Sequence, residues 1–317
     1  MRAATISDGQ IVVADRPDPE PGQGEILVRV RAAGLNAADL LQRQGFYPAP
    51  PGSPPDIPGM ELAGEVVARG PNATRFADGD RVMAIVGGGA QAELAVVHER
   101  VAMPVPGNLS WDEAGGFPEA FTTAHDALFT QCGLKMGERA LIHGAAGGVG
   151  VAGVQLAAAA GASVTATVRN PDLRAAVEAL GSAIGPCQVA ASDGWETLGP
   201  FDVVLELIGA PNMAGNLASL ALGGRIAVIG VGGGGQADIN LLALMQARGR
   251  IHGSTLRARP LEDKAAAARA VERHVLPRVE AGAIKVPLAA TFALADAAQA
   301  YERFARGGKL GKIVITC

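Results

Sequence analysis

The stretch Arg139–Ala162, RALIHGAAGGVGVAGVQLAAAAGA, decides the fold. An apolar run, Ala140–Ile142, meets five glycines between Gly144 and Gly153, and an Ala-rich run carrying the helix formers Gln155 and Leu156 follows. The pattern reads as strand, glycine turn, helix. A bare bend, a phosphate loop and a dinucleotide turn all share that outline. A P-loop needs Lys-Ser or Lys-Thr after its glycines, and neither is present. Two frames compete for a dinucleotide turn. The literal G-x-G-x-x-G, at Gly148, Gly150 and Gly153, begins well past the strand and puts its last glycine inside the helix. The frame Ala145–Gly147–Gly150 begins directly after the strand, with alanine in place of the first glycine. A pyrophosphate must sit on the helix N-terminus just beyond the strand, which favours the second frame. Ala146, Gly147, Gly148, Val149 and Gly150 are then the residues expected around it.

Working outward, the chain from about Pro118 alternates strand and helix. Strands are expected at 139–143, 163–168, 201–208, 225–230 and 250–255, and helices at about 149–160, 171–181, 213–221 and 239–248. Short strands that are apolar throughout, with helices between them, predict a parallel sheet covered on both faces. Before Pro118 the pattern differs. GEILVRVRAAGL (24–35) alternates apolar and polar residues at period two, and LAGEVVARG (62–70) and DRVMAIV (80–86) resemble it. A Pro-rich loop, 46–59, lies between and is stiffened by its fixed φ angles. The tail reads as a long helix, a strand near Ile284–Pro287, a second helix and a last strand, GKIVIT, which returns to the β-rich part. The expected fold is therefore α/β: a Rossmann doubly wound parallel sheet at 118–257, and a β-rich substrate domain at 1–117 and 258–317.

An acid at the end of the second strand, about 20 residues past the glycines, usually holds the ribose 2′-hydroxyl of NAD. Here Val168 takes that place, followed by Arg169 and Asn170, with Arg174 a turn later. A neutral residue followed by arginines suits a 2′-phosphate, because guanidinium offers a fork of donors. NADPH is the expected cofactor.

The 317 residues are 49% hydrophobic and 18% charged, so a large core is available and disorder is excluded. The net charge of −4 and the lack of a basic run exclude a nucleic-acid partner. The N-terminal MRAATISDGQ has no apolar signal core, and no stretch reads as a membrane span. Three scattered cysteines, Cys132, Cys187 and Cys317, form no framework, which suits a reducing compartment. A cytoplasmic location is expected.

Several motifs occur in one order: LNAADLLQRQGFY, PGMELAGEV, GDRVMAIVGGGAQAELAVV, FPEAFTTAHDAL, ALIHGAAGGVGVAGVQLA, VVLELIGA and GKLGKIVI. Together they resemble the zinc-free quinone oxidoreductases of the medium-chain dehydrogenase/reductase superfamily. Within it, ADLLQRQGFY, GGGAQAE and PEAFTTA match the subgroup of the p53-inducible quinone oxidoreductase homologue. The resemblance covers nearly the whole chain. It implies a GroES-like substrate domain around the Rossmann domain, NADPH, and a homodimer through the Rossmann sheets.

Metal-dependent relatives hold zinc with a Cys, a Gly-His-Glu and a second Cys or an acid. The Gly-His-Glu place here reads Gly59-Met60-Glu61, and the first Cys is Asn36. Thioether and amide are poor zinc ligands, so no metal is expected. Without a Lewis acid to stabilise an alkoxide, alcohol oxidation is disfavoured. A quinone or an enone, being electrophilic already, can accept hydride with only positioning and a hydrogen bond.

The resemblance implies catalytic roles for Asn36, Asp39 and Tyr47 around the nicotinamide; their ordinary alternatives are a helix cap, a surface charge and packing. It also implies cofactor contacts from Thr123 (Thr122 is its neighbouring candidate), Ile208 and Gly209, Gly230 and Val231, and Lys309 or Lys312. Gln42 and Arg43 share the motif and read equally as structural. His143 and His125 read as packing. Subgroup members often place Ser and Lys after the second strand, where this chain has Arg169-Asn170-Pro171-Asp172-Leu173-Arg174. The NADPH preference therefore rests on chemistry in kind. The leading expectation is an NADPH-dependent quinone reductase. An enone or enoyl-thioester reductase comes second, and a non-enzymatic NADPH-binding sensor or structural protein is the reading of another class.

Overall fold

The structure is a computed structural model that describes residues 1–317. The N-terminal segment forms a hairpin of β1 (Arg2–Ser7) and β2 (Gln10–Asp15), closed by the two-residue turn Asp8-Gly9 at positive φ, a strong hairpin signal. The next strand, β3 (Glu25–Gly34), leads through the short helix α1 (Ala37–Arg43) and the Pro-rich loop to β4 (Glu61–Arg69). The strands β5 (Arg81–Ile85), β6 (Leu94–His98) and β7 (Ala102–Pro104) and the helix α2 (Trp111–Gly115) complete this part. Alternate residues of β3 point inward, so Ile26, Val28 and Val30 join Leu62, Val66, Val82 and Val97 in one apolar core.

The second part begins with α3 (Pro118–His125), which continues as one π-helical turn, Asp126–Gln131. There follow β8 (Arg139–Ile142), α4 (Gly148–Ala159), β9 (Ser163–Thr167), α5 (Arg174–Ser182), β10 (Cys187–Ala190), β11 (Phe201–Glu206), α6 (Met213–Ala218), β12 (Leu220–Val228), α7 (Leu241–Ala247) and β13 (Arg250–Gly253). All six strands run parallel in the order β10-β9-β8-β11-β12-β13. The chain walks outward from β8 in one direction, then returns to start again at β11. Ligands of such sheets bind at that reversal, outside the carboxyl ends of the strands.

The tail holds α8 (Leu261–His274), α9 (Leu276–Glu280), β14 (Leu288–Ala293), α10 (Ala297–Ala305) and β15 (Lys312–Thr316). β15 lies between β14 and β3, so the return to the first sheet is made by hydrogen-bonded strands in the order β14-β15-β3-β4-β5-β7, with β6 also on β3. The helices α8 and α9 behave differently: their Ala268, Val271 and Val279 share the largest core with Phe117, Phe121, Ile142 and Leu205.

One expected strand shifts. Pairing starts at Leu288, not at 284–287. Ile284 and Val286 are buried, which gives the alternating look of a strand. The backbone between them is bonded by a side chain: Lys285 N–H donates to Gln155 Oε1 (2.8 Å), and Gln155 Nε2 donates to the Lys285 carbonyl (2.9 Å). The buried amide of Gln155 thus replaces a neighbouring strand.

Candidate active site

The glycine turn follows β8 at the centre of the sheet. Gly144 takes φ +61°, a conformation that favours glycine, and turns the chain back toward the helix. Gly147 is the extended N-cap of α4, with φ −75° and ψ 169°. A Cβ added to Gly147 would meet nothing closer than 3.5 Å, so the space before the helix is open. A Cβ on Gly150 would lie 2.6 Å from the Ala145 Cα and collide with the Gly144 carbonyl. The two glycines thus divide the work as the frame Ala145–Gly147–Gly150 requires: open approach at one, close packing at the other. Gly153 lets α4 sit on β11, since its Cβ would lie 2.8 Å from Leu205 Cδ2. Gly148 serves a neighbour, because its Cβ would lie 2.6 Å from Lys312 Cδ. No side chain caps the α4 N-terminus. Its first amides keep their N–H groups for an anion, and the turn fits the pyrophosphate of a nicotinamide dinucleotide.

The neighbouring strand ends are held from beneath by Glu206, which is fully buried. Its carboxylate accepts from the amides of Ile208 (2.7 Å) and Gly209 (2.8 Å) and from the side chains of Asn212 (3.2 Å) and Asn216 (2.7 Å). The amides of Ile208 and Gly209 are therefore committed inward. The side chains of Ile208 and Val231 are exposed, and Gly233 N–H donates to the Ile208 carbonyl at 2.8 Å. Gly230 donates its amide to the Glu206 carbonyl at 3.1 Å. His143 packs edge-on against Trp195 and bonds to Thr167 and Asn216 (2.9 and 2.8 Å), and burial holds its pKa down.

At the end of β9, Val168 is buried in the core, whereas Arg169 is exposed. The Asn170 side chain accepts from Asp172 N–H (3.1 Å) and caps the following turn. Arg174 Nε donates to the Val168 carbonyl at 3.1 Å, which anchors its stem and leaves its terminal amino groups without a protein partner.

The residues around the expected nicotinamide form a buried polar cluster at the junction of α1, β4, α3 and β15. The ammonium of Lys312 donates to the Leu35 carbonyl (2.9 Å) and Asn36 Oδ1 (2.7 Å), and pairs with Glu61 Oε1 (2.6 Å). Asn36 Nδ2 donates to that same Glu61 oxygen at 2.9 Å, and Glu61 Oε2 accepts the Glu119 amide at 2.8 Å. Asn36 is also the N-cap of α1. Asp39 is not a surface charge: it is fully buried, and its carboxylate accepts the amides of Asn36 (2.8 Å) and Gly59 (3.2 Å). Burial raises the Asp39 carboxyl to about 6, against those hydrogen bonds and the pull of Lys312 and Arg257. Asn36 and Asp39 are thus fixed by bonds within the protein. Tyr47 is the member whose hydroxyl has no protein partner. It is half-buried, Arg257 lies over its ring (5.2 Å to the centroid), and burial raises its pKa.

Sequence reasoning left three of these residues, Arg257, Glu61 and Glu119, without a site role. Arg257 is buried and donates to the Gly87 carbonyl (2.7 Å), the Tyr47 carbonyl (3.2 Å) and Gln42 Oε1 (2.6 Å), which gives Gln42 a structural part. Lys312, an alternative to Lys309, is the lysine inside the cluster. Lys309 donates to the Gly311 carbonyl (3.0 Å) over the Phe304 ring, and burial lowers it to about 8. Glu61 counted only as part of the lost metal motif. Glu119 was hidden inside FPEAFTTA as an ordinary first-turn acid. Thr123 lies on its face, with Oγ1 3.4 Å from Glu119 Oε1, whereas Thr122 turns away toward Leu256 and Lys264.

The donors at the former metal positions do not suit zinc. Met60 is a thioether, and Asn36 and Glu61 already share the Lys312 ammonium.

A parallel sheet of this order, beside a separate GroES-like sheet that the last strands of the chain complete, defines an oxidoreductase scaffold. The alcohol dehydrogenase GroES-like domain family matches residues 22–107, and the zinc-binding dehydrogenase family matches residues 188–315. A quinone oxidoreductase of Lama guanicoe is 30% identical over 99% of this chain and 97% of its own length. The erythronolide synthase EryA2 of Saccharopolyspora erythraea is 45% identical over 55% of this chain, which spans 5% of that much longer protein. The quinone oxidoreductase of Thermus thermophilus, solved also in complex with NADPH, superposes over both whole chains with a TM-score of 0.85 at 33% identity. The chain belongs to the medium-chain dehydrogenase/reductase superfamily, whose members bind a nicotinamide cofactor.

Proposed function

We propose that this protein is an NADPH-dependent quinone oxidoreductase that works without zinc. The observation that supports the reading is the Lys312–Asn36–Glu61 cluster beside an open dinucleotide turn: a protein ammonium is bonded to two residues that align with metal positions of the zinc-dependent relatives. When bound, the nicotinamide supplies a hydride. The amides of α4 and the glycine turn hold the phosphates. Arg169 and Arg174 would hold the 2′-phosphate, with no acid at Val168 to repel it. Asn36, Asp39 and Lys312 would line the nicotinamide end of the site, and the Tyr47 hydroxyl, which has no protein partner, would bond an acceptor oxygen. The partition into 1–117 with 258–317 and 118–257, a cytoplasmic location and a homodimer belong to the same proposal. Leu222, Leu241, Leu242 and Met245 are exposed beside the edge strand β13, which supports a partner surface there. No helix is long and apolar enough to cross a membrane.

The second reading is reduction of an enone or enoyl thioester, supported by the likeness to polyketide synthases. Steady-state oxidation of NADPH with 1,4-benzoquinone, a naphthoquinone and an acyl-CoA enone tests both. Turnover of quinones is expected; turnover of the thioester alone moves the second reading to first. Tight NADPH binding with no turnover of any acceptor leaves a binding protein. For the coenzyme, kcat/KM with NADPH is expected to exceed that with NADH, and Arg169→Ala with Arg174→Ala to erase the difference. A parent protein that prefers NADH overturns the assignment.

A further inference from the structure

Glu119 sits where three parts of the protein meet. Its amide is fixed by Glu61 on β4, and its Oε1 faces Thr123 one turn on. The adjoining Ala120 lies beside Gly148, the first residue of α4, with Lys312 filling the gap. Tyr47 and Arg257 lie near enough to feel the Glu119 charge. Glu119 Oε2 is enclosed and has no hydrogen-bond partner, although the residue as a whole keeps some solvent contact. Every other carboxylate oxygen of the cluster is spoken for: Glu61 by Lys312, Asn36 and the Glu119 amide, and Asp39 by two amides. An enclosed acid oxygen without a partner is costly unless the group carries a proton or meets a ligand.

We propose that Glu119 is the proton donor of the reaction, delivering its carboxyl proton to the acceptor as hydride arrives. This rests on the reductase reading above. The balance is complete. The acceptor gains a hydride at one atom and a proton from Glu119 at another. A quinone leaves as hydroquinone and an enone as the saturated carbonyl compound, and the Glu119 carboxylate regains its proton from water. The charged neighbours agree with a group that holds a proton at rest. Burial, together with Glu61 and Asp39, raises the carboxyl to about 7, against Lys312 and the hydrogen bond from Thr123. The two cations of the site are committed: Lys312 donates to the Leu35 carbonyl, Asn36 and Glu61, and Arg257 to the Gly87 and Tyr47 carbonyls and Gln42. Glu119 Oε2 has no such commitment. Enones need that proton more than quinones do, because the reduced quinone is the weaker base.

The test compares the parent protein with Glu119→Gln. NADPH affinity, read from nicotinamide fluorescence, is expected to be retained. With an enone, kcat is expected to fall about 100-fold, with the smaller loss for benzoquinone. In the parent, the rate should decline as pH rises through about 7, and that limb should vanish in the variant. Independently of turnover, infrared difference spectra of the cofactor-free protein should show a carboxylic-acid carbonyl band that titrates near 7 and is missing from Glu119→Gln. If Glu119→Gln does not fold, Glu119→Asp serves, and is expected to keep the limb at a lower rate. A parent active on enones whose Gln variant keeps both rate and pH profile overturns the proposal and leaves the reductase reading standing. So does a flat profile in a folded Asp variant, or a parent without the infrared band. A parent inactive with every quinone and enone overturns the reductase reading instead.

Discussion

Lys312 and Glu61 form a buried ion pair with side-chain exposures of 5% and 0%. Such a pair is expensive to break from one side, because the remaining charge keeps its desolvation cost. Lys312→Met is expected to lower unfolding free energy by about 3–5 kcal/mol in urea titration, and adding Glu61→Gln to recover a large part of it. Asp39 makes a prediction of opposite character. Its folded pKa is raised from 3.8 to about 6, so the folded state binds the proton more tightly than the unfolded chain. The stability it contributes is full below its ordinary value and is lost as pH rises through about 6. Thermal melts between pH 4 and 7 should show that decline, and Asp39→Asn should flatten it. A variant with the same slope as the parent places the titration elsewhere. None of this was visible from Asn36 and Asp39 as letters. Their spacing announced a helical turn, but the partners that bury them arrive from β4 and β15, far along the chain.

The strand–turn–helix unit is the opposite case, because its information is local. Apolar β8, the glycine spacing and the Ala-rich helix lie within one short window, and the structure places the turn, the N-cap and the helix as that window predicts. The same frame assigns Gly147 to the phosphate and Gly150 to close packing. The structure gives Gly147 open space and Gly150 a backbone contact, and two substitutions read that division. Gly147→Ala has space and an ordinary φ, so its melting temperature should stay near the parent's while affinity for the dinucleotide falls at least about tenfold, equivalent to about 1.4 kcal/mol. Gly150→Ala meets backbone, so it should cost about 1–3 kcal/mol of stability. Equal losses in both measurements for both variants would refute the division. The segment 284–287 marks the limit of pattern reading: alternate burial of Ile284 and Val286 mimics a strand, and only the Gln155 amide reveals that no neighbouring strand is there.

At the scale of the whole molecule, the buried Arg257 is one of the polar ties between the two parts. It follows β13 of one sheet and ties down the carbonyls of Gly87 and Tyr47 beside the other. Arg257→Met should free the Tyr47 wall, raising KM for the acceptor more than it lowers kcat. A pure loss of kcat would assign Arg257 a part in the chemistry. The exposed apolar face of α7 supplies a second test at this scale. Leu242→Lys with Met245→Lys should convert a dimer in sedimentation experiments to a monomer and leave the melting profile of the single chain recognisable. The two-sheet plan could be read in the sequence, since period-two and all-apolar strands look different. The route of α8 and α9 could not, because an amphipathic helix does not state which of two neighbours it will cover.

Gly311 gives its amide to the Ala146 carbonyl at 2.8 Å, and the next residue begins β15. The rim of the phosphate turn is thus stitched to a strand translated long after it. During synthesis, α4 and its glycine turn leave the ribosome as a bare cradle, while the last residues of β3, Ala32–Gly34, wait for β15. Both are completed by the same few residues, Gly311–Thr316, so the chain does not offer a finished cofactor site until the first sheet has closed. Folding order and cofactor capture are thereby coupled, and a product cut short before Leu310 has neither.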